Sequence, residues 1–89
     1  MSSNDAYAVV DRVIQIADYE ALREIANQLA GLLVARQRAA RTDAQAQAWR
    51  HEHRELRARL ERIQSNTPAV TEALDEWSNR LAQLRGGTT

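Results

Sequence analysis

Almost nothing in this sequence interrupts a helix: proline occurs once, at Pro68, and glycine only at Gly31, Gly86 and Gly87. The residues that break regular backbone are therefore confined to a single internal proline, a lone glycine and the C-terminus. Helix formers (Ala, Leu, Arg, Gln and Glu) fill the rest, and β-branched residues cluster only at Val9, Val10, Val13, Ile14 and Ile16. The expected fold class is all-α: an antiparallel helical hairpin or three-helix bundle with coiled-coil-like packing, oligomeric, forming one helical domain over residues 1–89.

Apolar periodicity places the elements. Val70, Leu74, Trp77, Leu81 and Leu84 recur every three or four positions, which puts all five on one helical stripe. Thr67 is positioned to cap that helix, Pro68 suits its first turn, where a missing N–H costs nothing, and Gly86 after Arg85 stops it. The series Thr42, Ala46, Trp49, His53, Leu56, Leu60 and Ile63 keeps the same alternation and ends at a short polar connection, Ser65-Asn66-Thr67. A connection that short makes its flanking helices antiparallel neighbours. Counting outward from Asn66 sets Trp77 level with about Leu56 or His53, and Trp49 level with about Leu81 or Leu84, with the tryptophans plugging opposite ends of one seam.

The first segment shows two phases, Val10, Ile14, Ala17 and Ala21, then Leu22, Ile25, Leu29 and Leu32. One straight helix accommodates both through the eleven-residue spacing of Val10, Ala21 and Leu32, and a break capped by Asp18 is the alternative. Gly31 falls inside this helix, where close approach of another backbone would explain it. Residues 35–48 offer only alanines as apolar side chains beyond their arginines and glutamines. They either turn near Arg41–Asp43, with Thr42 capping the next helix, or continue as one helix of more than forty residues. The heptad phase slips here, which favours a turn. The expected helices span about 4–40, 43–64 and 68–85, with a disordered tail at 86–89.

A chain of 89 residues buries a modest share of its surface, and with no cysteine to staple it, association is the natural way to gain stability. Net charge is zero but unevenly spread. Residues 1–33 carry −3, residues 34–64 carry +4, and the remainder carries −1. An acidic first segment and a basic second one suit two mutually packed helices. No apolar run approaches the roughly 18–20 residues of a membrane span and no leader pattern opens the chain, so a cytoplasmic location without membrane partners is expected.

The residues offer little for catalysis. His51-Glu52-His53-Arg54-Glu55 approaches the metal-binding pattern His-Glu-x-x-His, but Glu55 stands where the second histidine belongs, and His51 and His53 point to different sides of a helix. His51 and Glu55 read as an exposed i, i+4 pair. His53 occupies a seam position and reads as a semi-buried histidine bonded to a neighbouring side chain, or alternatively as a pH switch on assembly. Glu76 and Arg80 are spaced for an intrahelical pair. No nucleophile–base pair, phosphate-binding glycine loop or metal cluster is visible, and no enzyme activity, cofactor or metal is expected. Helical hairpins of this length occur among WXG-type secreted proteins, but Trp49 is followed here by Arg50-His51 and Trp77 by Ser78-Asn79, so the Trp-x-Gly turn of that family is missing.

The function expected is that of a small non-enzymatic protein–protein interaction module: an adaptor, an assembly chaperone, or an accessory regulator such as an inhibitor or antitoxin. Its partners would be itself, as a homodimer or higher, or a larger protein. The expected interaction surface comprises Val9, Val13, Ile16, Trp49, His53, Leu56, Leu60, Trp77, Leu81 and Leu84, with the N-terminal apolar residues the best candidates for contact with another chain. The alternative is a nucleic-acid-associated protein in which Arg50, Arg54 and Arg57, one stripe at helical spacing, follow a phosphate backbone. Against it stand the interleaved acidic residues and the neutral chain.

Overall fold

A computed structural model describes residues 3–65 and 67–86, with side-chain surroundings described from Asp18 onward. Three helices account for nearly all of it: α1 Ser3–Ala39, α2 Asp43–Arg62 and α3 Pro68–Leu84. No strand occurs among the described residues. The chain turns at residues 40–42 rather than continuing as one rod, and α1 is unbroken through Asp18. Thr42 has extended backbone and its hydroxyl accepts the Gln45 N–H at 3.1 Å, satisfying one of the donors that a helix start leaves open.

α1 packs against both other helices, whereas no Cα of α2 comes within 8 Å of one of α3. The expected seam between α2 and α3 is therefore replaced by two seams, both on α1. This explains the breadth of α1's apolar stripe. Leu22, Leu29 and Leu33 form its buried centre. Ala26 and Ala30 line the α2 side together with Leu56 and Leu60. Ile25 and Leu32 pack against the core from helix positions shared with Gln28 and Arg36, which bond to the end of α3. From Leu22 onward, α1 is one helix facing two neighbours.

On α3 the buried stripe is Val70, Ala73, Trp77, Leu81 and Leu84. Ala73, fully buried, takes the place expected of Leu74, which is half-buried at the edge. A methyl side chain at that point lets α3 sit close on its neighbour, and the leucine is displaced sideways. α2 is shallower. Within the helix only Leu56 is fully buried, and Ala46, Trp49, His53 and Leu60 are half-covered. Ile63 closes the core as the C-cap residue, so α2 ends at Arg62.

The termini carry their own bonds. Arg36 Nη2 donates to the Leu84 carbonyl at 2.7 Å, so a cation from α1 caps the C-terminus of α3, whose last turn holds no basic residue. Gly86 adopts φ 76°, the left-handed conformation of a helix stop, and its N–H donates to Gln83 O. Thr67 holds the N-cap position of α3 with Pro68 following, but its hydroxyl donates to Gln64 O instead of receiving a helix N–H. Among the described residues no atom beyond its own stretch of helix lies within 4 Å of where a Gly31 Cβ would stand, so no close backbone approach accounts for it.

Length sets the outline. At 1.5 Å per residue α1 is about 55 Å long, α2 about 30 Å and α3 about 25 Å. Neither short helix can accompany α1 much beyond half its length, and the anchors to α3 at Gln28 and Arg36 place that company in its C-terminal half. The N-terminal half of α1 extends past the three-helix part, consistent with overall extents of 64 × 28 × 15 Å.

Candidate functional site

Two clefts flank α2. The first, of about 260 Å³, runs between α2 and α3 over a floor of Leu29, Leu56 and Trp77. Charged side chains span the gap that the two backbones leave. Arg80 of α3 donates from Nε and Nη2 to both carboxylate oxygens of Glu52 on α2, each at 2.7 Å, and its guanidinium lies 5.7 Å from the Trp49 ring. Arg59 of α2 pairs with Glu76 of α3 and lies 5.5 Å from the Trp77 ring. Each helix thus contributes one tryptophan, one glutamate and one arginine, and each arginine crosses to the other helix's tryptophan and glutamate. The Glu52 hydrogen bonds raise the Arg80 pKa, against a smaller opposing effect of burial. The contact with Glu52 thus favours the charged guanidinium.

This reciprocal clasp corrects the expected Glu76–Arg80 pair: both residues spend their charge between helices. The sequence signal was the hairpin register. Glu52 and Arg80 are equidistant from Asn66, so counting outward from the connection sets them level. The register of the antiparallel pair is as counted, although the backbones do not touch. Trp77 is buried at 4% exposure, while Trp49 is half-covered beneath Arg80.

The second cleft, of about 190 Å³, lies between α1 and α2. Its floor is Ala26, Ala30, Leu56 and Leu60, and its rim is Arg23, Asn27, Arg57 and Glu61. Arg54 and Arg57 are exposed, and Arg50 is half-buried. With its amide oxygen turned toward α2, Gln37 accepts from Nε and Nη2 of Arg50, each at 3.2 Å. The fold sorts the charges that alternate along α2. Glu52 faces Arg80, and Glu55 lines the α2–α3 cleft. Glu61 is the carboxylate on the same rim as Arg57.

The other anticipated residues are scattered. Leu56, Trp77, Leu81 and Leu84 are buried in the intrachain core, and Leu60 is half-buried against it. His53 is half-buried outside the apolar cluster, with no side-chain hydrogen bond to a described residue. His51 and Glu55 are both exposed. Val9, Val13 and Ile16 lie outside the residues whose side chains are described. Among the described residues no three metal-ligating side chains converge, and no helix is long and apolar enough to cross a membrane. Comparison with protein-family models, curated proteins and solved structures finds no match to this chain.

Proposed function

We propose that this protein is a small non-enzymatic interaction module that works by self-association or by docking to a larger protein through its amphipathic helix surfaces. One observation carries the reading: α1 is about twice as long as either helix packed on it. Folding of one chain accompanies only part of that helix. The remainder holds Val9, Val10, Val13, Ile14 and Ile16, the densest β-branched apolar run in the sequence. An isolated helical segment of about fifteen residues is marginal in water, and packing an apolar face is what normally sustains one. The role fits an adaptor, an assembly chaperone or an accessory regulator acting in the cytoplasm, in a coiled-coil-like homodimer or a complex with a larger chain.

Val13→Asp tests the reading, because a carboxylate in an apolar helix contact leaves a buried charge uncompensated. The variant should keep its helical dichroism and lose its assembly, measured as solution mass by light scattering. An assembly equal to that of the wild type would refute the proposal. The sorting of charges on α2 keeps a second reading alive, in which Arg50, Arg54 and Arg57 contact nucleic acid. Changing all three to glutamine would then abolish a low-salt mobility shift that the unaltered protein shows.

A further inference from the structure

We propose that the groove between α1 and α2 receives the N-terminal segment of α1 from a second copy of this chain, an assignment that rests on the self-association reading above. The groove has a low floor at Ala26 and Ala30, a half-exposed apolar wall at Leu60, and Arg23 and Arg57 on its rim. Arg54, one helical turn from Arg57, extends the basic edge and is exposed. None of these three arginines pairs with a carboxylate among the described residues, whereas Arg59 and Arg80, toward α3, both do. Of the unpaired arginines of α2, Arg57 lines this groove with Arg54 one turn away, while Arg62 lies in the α2–α3 cleft.

The occupant is named by its charge and length. The leading part of α1 carries Asp5, Asp11, Asp18 and Glu20 against Arg12, alongside its β-branched apolar residues. Asp11 and Asp18 are one heptad apart and share a line along the helix. This segment supplies both of the properties that the groove asks for, an apolar strip and an acidic edge. About fifteen residues of helix measure roughly 22 Å, which fits along the roughly 30 Å of α2. Exchange of the segments between two copies buries both grooves at once and is self-closing, as a two-fold pair requires. Glu61 also stands on the rim, so its positive charge comes from Arg23, Arg54 and Arg57 against one carboxylate, and a nucleic acid in the same groove would leave the acidic segment unmatched.

Charge exchange tests the pairing. Arg54→Glu with Arg57→Glu makes the groove acidic, and Asp11→Arg with Asp18→Arg makes the segment basic. Each double variant alone places like charges at both contacts and should self-associate roughly tenfold more weakly than wild type, or worse. An equimolar mixture matches both contacts, one swapped and one native, and should recover the wild-type mass as a mixed pair. Wild type that stays monomeric would remove both this inference and the reading beneath it. Wild type that assembles while both variants assemble equally well, or variants whose mixture is not rescued, would remove the docking assignment alone. Loss of nucleic-acid retention in the arginine variant with unchanged mass would reassign the groove to a polyanion.

Discussion

Thr42 and Thr67 occupy equivalent places before α2 and α3, yet their hydroxyls do different things. Thr42 accepts a helix N–H, whereas Thr67 donates backward to the Gln64 carbonyl. Thr42→Ala should therefore cost about 1 kcal/mol and Thr67→Ala distinctly less, as read by urea denaturation of each variant. Equal losses would show that the two hydroxyls do the same work. Both positions were legible as caps, because a Thr ahead of an apolar period and a Thr-Pro pair are local signals. The direction of a hydroxyl is not, since it depends on which carbonyl the preceding turn leaves within reach. Gly31 shows the same limit. Its place inside a helix was plain, but whether a neighbour crowded it depended on which face of α1 the other helices chose.

At the scale of elements, apolar spacing located three helical segments and a phase slip favoured a turn at Thr42 over one continuous helix, and the short connection gave the register of α2 against α3. What it could not give was the distance between them. Heptad spacing names the residues of a seam but not the partner, and α1, with apolar side chains over a wide arc, outcompetes α3 for the face of α2. The gap left behind is bridged by side chains, which is why Glu76 and Arg80, spaced for an intrahelical pair, bond to α2 instead. That clasp is half-exposed and made of charge, so its strength should be modest and screened by salt. A double-mutant cycle on Glu52→Gln and Arg80→Gln should give a coupling of about 0.5–1 kcal/mol at low salt that shrinks in 1 M salt. A coupling absent at low salt would mean that the crossing adds nothing to α2–α3 cohesion.

At the scale of the molecule, three unequal helices on one long axis make a body in which the core occupies one end of α1. Among the described residues the core of α1 begins at Leu22, and α2, its cap and α3 add Leu56, Ile63, Val70, Ala73, Trp77, Leu81 and Leu84. A core of that size gives a small chain a narrow stability margin. Association through the rest of α1 would widen it and make stability depend on protein concentration. The measurement that tests this most directly is the solution mass of the unaltered protein across a dilution series from hundreds of micromolar to below one. A dimer or larger species that falls toward the monomer mass on dilution is the expected result, and a monomer at every concentration would contradict it.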